Sequence, residues 1–328
     1  MIGGKIAMDG ITRRSWLYAA LLGCLVSSGS VSHGVAQNYP SQTIRWIVTS
    51  GAGGAFDALA RGLAPSLSKH MGVNVVVETV PGPDGWNRIF LAKPDGYTIG
   101  IGDPVGEFGN GIVNPVPYKP EAFTWIGRLN SASNLAVASK KSGMISLDQV
   151  KKASQSIRFA TFGVSAPLIQ MVLLSQAVNI KMTSVNFRTP ADVAFGLVRG
   201  DVDAANLGIQ LWMKHIQAGN AVPLLLFDEK GDKRVPGVPS LVDIGRPELV
   251  RLMTQRSIIA PPNVPPEIEA KLIEGLKKTV SEGDGLAFLM RANFETNSLW
   301  GPEFKAIVSG IQKDIQSNGA TLRTFATQ

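Results

Sequence analysis

The stretch TSGAGGAFDALARGL, Thr49–Leu63, lies between an apolar β-branched run and a segment with helical periodicity. Small residues at such a junction leave backbone N–H groups open at a helix N-terminus, where the macrodipole favours an anion. Asp57 falls in the first helical turn, where a carboxylate can cap free amides. The stretch alone supports two readings: an anion site, or a turn that Asp57 merely caps.

Rival chemistries are weaker. Gly51-Ala52-Gly53-Gly54-Ala55-Phe56 imitates the dinucleotide fingerprint and Glu78 stands where an acid could meet a ribose, yet Phe56 occupies the place of the residue that must let helix and strand pack closely. No Gly-Lys-Ser/Thr follows, so the phosphate-loop pattern fails as well. Ser165, in Gly163-Val164-Ser165-Ala166-Pro167, lacks the second glycine of a nucleophile elbow. His70 and His215 have no His or Cys at metal-ligand spacing. The residues therefore offer no catalytic constellation, metal site or cofactor.

The elements that must position these residues alternate. Strands are expected at 44–48, 73–77, 97–101, 125–129, 135–139, 157–161, 183–187, 222–227 and 257–260. Helices are expected around 56–67, 89–93, 147–153, 168–178, 191–199, 211–217, 266–281 and 302–318. Residues 102–124 read as a proline-broken connection, 130–134 as a polar link and 234–247 as a loop. This order predicts two α/β domains whose chain crosses twice between them, with 135–139 and 255–260 as the crossing strands.

Length and charge agree. The 328 residues exceed a comfortable single core. Hydrophobic content of 45% with 17% charged residues is globular, and no segment after the leader has the length of a membrane span. Arg13 and Arg14, the apolar run from Trp16 to Val26 and the small-x-small site Gly34-Val35-Ala36 predict an export signal over 1–36, of the general or the twin-arginine kind. Cys24, the single cysteine, stands in a lipoprotein-like Leu21-Leu22-Gly23-Cys24 and is a candidate for lipid anchoring. Without the leader the net charge falls from +7 to +5, which favours anionic ligands. No basic stripe with interleaved aromatics supports nucleic-acid binding.

Ordered motifs along nearly the whole remaining chain resemble the Bug-type (TctC-like) substrate-binding proteins of tripartite tricarboxylate transporters. They are Tyr39-Pro40-Ser41, Gly51-Ala52-Gly53-Gly54 with Asp57 and Ala60-Arg61, Pro81-Gly82 with Gly85, and Pro94-Asp95-Gly96-Tyr97-Thr98. Gly200-Asp201-Val202-Asp203, Ile216-Gln217-Ala218-Gly219, Val238-Pro239-Ser240-Leu241 and Ala260-Pro261 with Val264-Pro265 follow in the same order. The resemblance implies the α/β periplasmic binding protein type II fold: two α/β domains, 37–136 plus 254–328 and 137–253, joined by two crossover strands with a ligand cleft between them. It also implies a periplasmic, monomeric protein that closes on a small organic carboxylate and delivers it to the membrane subunits of the transporter.

By the same resemblance the carboxylate meets a first loop, Ser50, Gly51, Ala52, Gly53, Gly54 and Asp57, and a second, Thr161, Phe162, Gly163, Val164, Ser165 and Ala166. The second loop departs from the usual Gly-x-Gly-Ser at Ser165 and Ala166. Asp103 replaces a usual threonine and would repel an anion if it faced the cleft. Where Val-Pro-Tyr-Lys-Gly is common, this chain has Val185-Asn186-Phe187-Arg188-Thr189. Arg188 reads either as a fork for a second carboxylate or as an exposed strand end. Phe162 and Phe187 read either as a sandwich for an aromatic ligand or as core. A ligand sensor for a signalling partner and an exported α/β enzyme are the alternatives; an enzyme would need a His or Cys near Ser165 or Asp103.

Overall fold

The computed structural model describes residues 39–326. The expected export signal, its twin arginines, Cys24 and the cleavage site after Ala36 lie outside them. From Pro40 onward the chain packs as one compact unit.

Its first half begins with β1 (Ile44–Val48), α1 (Ala55–Met71), β2 (Val75–Thr79), α2 (Pro83–Phe90), β3 (Thr98–Gly102), α3 (Pro104–Val113), β4 (Thr124–Ala132) and β5 (Asn134–Ser139). There follow α4 (Leu147–Lys152), β6 (Ile157–Thr161), α5 (Ala166–Ala177), β7 (Met182–Asn186), α6 (Pro190–Arg199), β8 (Ala204–Gly208), α7 (Ile209–Gln217) and β9 (Ala221–Phe227). The chain ends with β10 (Thr254–Ala260), α8 (Pro266–Ser281), α9 (Gly283–Arg291), β11 (Leu299–Trp300), α10 (Gly301–Ser317) and α11 (Gly319–Ala326).

The strands form two sheets, ordered β11-β4-β10-β3-β1-β2 and β7-β6-β8-β5-β9. In the first, β1 runs parallel to β2 and β3, and β10 runs antiparallel to β3 and β4. In the second, β6 is parallel to β7 and β8, and β5 is antiparallel to β8 and β9. All five residues of β3 are buried, as expected of a strand covered by helices on both faces. Each predicted crossing strand stays in one sheet. The chain changes sheets at Ser133, between β4 and β5, and again between β9 and β10.

Several sequence expectations are corrected. Residues 104–113, expected as part of a proline-broken connection, form α3. Its three glycines, Gly106, Gly109 and Gly111, disguise it by depressing helix propensity. The polar segment 130–134 is strand except at Ser133, with Asn130, Ser131, Ser133 and Asn134 all buried. α2 starts at Pro83, well before the expected 89, because Pro83 is preorganised for a first helical turn. β8, α9 and α11 were not expected. β8 is short and starts with two alanines, which carry no β signal.

One apolar cluster runs from Ile47 on the first sheet, through Trp86 of α2, Phe108 of α3 and Ile169 and Leu173 of α5, to Phe159 on the second, so the two sheets share a core. Its junction is the contact of α3 with α5. A Cβ at Gly109 would lie 2.4 Å from Ile169 Cδ1 and 3.3 Å from Val164 Cγ1, so this glycine permits the close approach. A second cluster, including Leu135, Val193, Leu197 and Trp212, packs the other face of the second sheet beneath α6 and α7.

Candidate functional site

The first loop leaves β1 and turns at Gly53, whose φ of +75° lies in the left-handed region that favours glycine. Gly54 is the N-cap of α1 and offers no side chain to the first amides. Asp57 is buried and fully engaged. Its Oδ2 accepts from Gly53 N–H at 3.0 Å, and its Oδ1 from Arg61 Nε at 3.0 Å and Thr79 Oγ1 at 2.7 Å. The Gly53 amide, helped by the Thr79 hydroxyl and Arg61, holds the carboxyl down at about 2. Asp57 thus fixes the loop from behind, tying α1 to the end of β2, and Gly53 N–H is not free for a ligand.

The second loop leaves β6. Asn186, at the end of neighbouring β7, accepts from Gly163 N–H at 3.0 Å and from Thr161 Oγ1 at 3.4 Å. Gly163 has a φ of +55°, the same conformational requirement as Gly53. Ser165 is the N-cap of α5, but its hydroxyl caps nothing. Ser165 Oγ and Ser50 Oγ are both buried with no hydrogen-bond partner. Buried hydroxyls without partners are rare and costly, and these two stand at the heads of the two loops.

Sheet register and the α3 contact bring the loops together. β1 and β3 pair in register Val48↔Ile101, which carries Ser50 to the level of Asp103. Gly106, in the first turn of α3, has Asp103 Oδ2, Ser165 Cα and Ala166 N all within 3.9 Å of the position a Cβ would take. Asp103, Gly106 and Ser165 are therefore one neighbourhood at the N-termini of α3 and α5, and the strand register sets Ser50 beside Asp103. Asp103 is the N-cap of α3; its Oδ1 accepts from Val105 N–H and from Gln255 N–H on β10, each at 3.2 Å. Burial pushes its carboxyl up to about 7, against the pull of those amides and of Arg256. Glu107, four residues on, is raised to about 7 by burial, opposed by the Tyr118 hydroxyl and assisted by the charge of Asp103.

The remaining expected residues lie elsewhere. The Phe187 ring covers Gly196 of α6, and with Phe162 it borders the second apolar cluster. Arg188 is exposed beside the edge strand β7, without a hydrogen bond or ion pair among the described residues. Gly51 and Ala52 are exposed at the tip of the first loop, and Val164 packs toward Gly109. Asp201 and Asp203 pair with Arg199 and Arg158. Two surface cavities of about 360 Å³ involve none of the loop residues: one lies beside Phe108, Trp125 and Lys305, the other beside Leu147 and Pro239.

Sequence reasoning missed the supports: Thr79 and Arg61 behind the first loop, Asn186 behind the second, and a buried amide cluster between the sheets. In that cluster Gln170 Oε1 accepts from Asn134 Nδ2 at 2.9 Å and from Asn206 Nδ2 at 2.7 Å, while Gln170 Nε2 donates to Leu252 O at 2.6 Å. Gln170 thereby ties both places where the chain changes sheets. Polar residues within strands that otherwise read as apolar were the available signal.

Two α/β layers joined by two chain crossings have the architecture of the periplasmic binding proteins among the structural neighbours. A family model described as the tripartite tricarboxylate transporter family receptor, TctC, matches residues 59–324, and the chain belongs to that family. Protein BugT of Bordetella pertussis is 26% identical over 265 residues, covering 76% of this chain and 80% of BugT. A TctC solute-binding protein from Polaromonas, solved without ligand, superposes with a TM-score of 0.70 at 21% identity, covering 88% of this chain and 99% of that one. An R. palustris protein solved with adipate gives 0.69 at 20% identity, covering 87% and 98%.

Proposed function

We propose that the chain is an exported receptor that captures a small organic carboxylate between its two sheets and hands it to the membrane subunits of a tripartite transporter. The observation that carries this reading is the pair of buried, unpartnered hydroxyls, Ser50 Oγ and Ser165 Oγ, at the heads of two loops that open helices α1 and α5. A carboxylate between them would accept from both hydroxyls and from first-turn amides, replacing the water that a soluble anion gives up. Family membership and the adipate in a structural neighbour support the ligand class. No helix of the described residues is long and apolar enough to cross a membrane, which fits a receptor working beside a separate membrane partner.

The two lobes of this reading are 37–136 plus 254–328 and 137–253, with β5 of the second sheet starting at Asn134, three residues before the second lobe. Closure would turn about Ser133 and the stretch before Thr254. The site comprises Ser50, Ser165, the free amides of both loops and Asp103; Asp57 and Asn186 hold the loops in shape. Thermal unfolding against millimolar adipate, malate, succinate, benzoate and glutamate tests the reading. A ligand at about 100 times its dissociation constant adds about 2.7 kcal/mol and raises the midpoint by several degrees. Protein that is folded, ligand-free and indifferent to every acid would refute it.

A further inference from the structure

Arg256, on β10, is the most deeply buried arginine near the loops, at 8% exposure. It lies one residue before Ser257, which pairs with Gly102 at the end of β3, so in the register of β10 it stands level with Asp103 while pairing with Asn130 of β4. A register shift between Arg256 and Ser257 in the pairing with β4 is the kind of irregularity that re-aims a side chain. The guanidinium lies 6.0 Å from the Phe56 ring centroid, in the first turn of α1, and 5.2 Å from that of Phe294. It is also within electrostatic reach of Asp103.

A guanidinium carries five N–H donors. Among the described residues this one has a single hydrogen-bond acceptor, Asn130 Oδ1 at 3.1 Å from Nη1. Arg256 Nε is buried without a partner. The nearest carboxylate, Glu295 Oε2, stands 3.8 Å from Nη1 and is itself buried without a hydrogen bond. A buried charge this poorly served is destabilising unless another anion completes it. Exposed Arg188, in contrast, keeps its hydration and needs nothing.

We propose that Arg256 is the residue that receives a second anionic group of the ligand, so that this receptor selects acids bearing two negative charges over those bearing one. The ligand class rests on the function proposed above. One carboxylate occupies the serine-headed loops, and the other takes the open side of the guanidinium between Phe56 and Phe294. The aromatic faces exclude water and stack against the planar fork, which a lysine could not reproduce.

The test compares wild type, Arg256→Met and Arg256→Lys by thermal unfolding without ligand and by titration with adipate and hexanoate, acids of equal chain length with two and one carboxylates. Arg256→Met leaves Glu295 Oε2 and Asn130 Oδ1 without their Nη1 neighbour, so its ligand-free midpoint is expected to fall, and affinities are compared at a temperature where every variant is folded. Adipate should bind that variant about 30-fold more weakly, the loss of one charged hydrogen-bonded contact, and hexanoate should change little. Arg256→Lys should fall between. Unchanged adipate binding in folded Arg256→Met, or equal losses for both acids, overturns the proposal. Wild type that binds hexanoate as tightly as adipate overturns the proposal while the function above stands; wild type that is folded, ligand-free and binds neither acid overturns both.

Discussion

Ser50, Ser165 and Asp103 define how the site treats charge. Removing the hydroxyl in Ser165→Ala leaves the fold intact, since the hydroxyl has no hydrogen-bond partner among the described residues. Binding of the preferred carboxylate should weaken by about 1.5 to 3 kcal/mol, read by titration. Asp103 introduces pH dependence. Its carboxyl, raised from 3.8 to about 7, lies beside Gly106 and Ser165, with Glu107 and Arg256 as neighbouring ionisable groups. Below about 7 it is neutral and tolerates an anion; above, it repels one. Carboxylate affinity should therefore fall as pH rises from about 6 to 8, and Asp103→Asn should flatten the profile. Because the folded state favours the protonated form, Asp103 stabilises the fold most below its usual pKa, and that contribution is lost as pH rises toward 7. Asp57 has the opposite sign. Held at about 2, it stabilises the protein above the ordinary carboxylate pKa and loses that contribution as pH falls toward 2. Acid unfolding followed in Asp57→Asn should show a shallower loss of stability over that range.

Helix α3 shows where sequence legibility ends. The β1–α1–β2 unit was readable because β-branched runs and helical periodicity coincide with local burial. α3 was not, because the glycines that weaken it in isolation serve a contact far away in sequence. The two glycines facing α5 separate these effects. A Cβ at Gly106 meets nothing closer than 3.8 Å, so Gly106→Ala should raise stability by about 0.5 to 1 kcal/mol through backbone entropy. At Gly109 the same methyl meets the fully buried Ile169, and Gly109→Ala should cost about 1 to 3 kcal/mol through overpacking. Denaturant midpoints of opposite sign would bear out the seam; equal gains would show that α3 and α5 can separate freely. In the candidate site, the glycine turn before α1 and its Asp57 cap were legible. The lack of a partner on Ser50 and Ser165 was not, because it depends on what the rest of the chain fails to supply. Arg256 was hidden for a related reason: within the run Thr254–Ala260 it reads as an exposed strand residue, and only the register irregularity and the two phenylalanines bury it.

The molecule as a whole combines a shared core behind the loops with polar crossings between the sheets. Gln170 joins Asn134 after the first crossing to Leu252 before the second. Gln170→Leu would leave the buried amides of Asn134 and Asn206 without their acceptor, at about 1 to 3 kcal/mol for each. Such a loss of stability, with ligand affinity kept at temperatures where the variant is folded, would place Gln170 in the frame rather than the site. The central claim is that two loops, one from each sheet, meet on a single carboxylate. Calorimetric titration of wild type and the Ser50→Ala, Ser165→Ala and double variants, with the acid that stabilises wild type most, tests it directly. The account predicts one molecule bound per chain, a loss of affinity from each single change, and a double loss that departs from the sum because both hydroxyls serve one anion. Binding at wild-type strength in the double variant would place the ligand elsewhere and contradict the account.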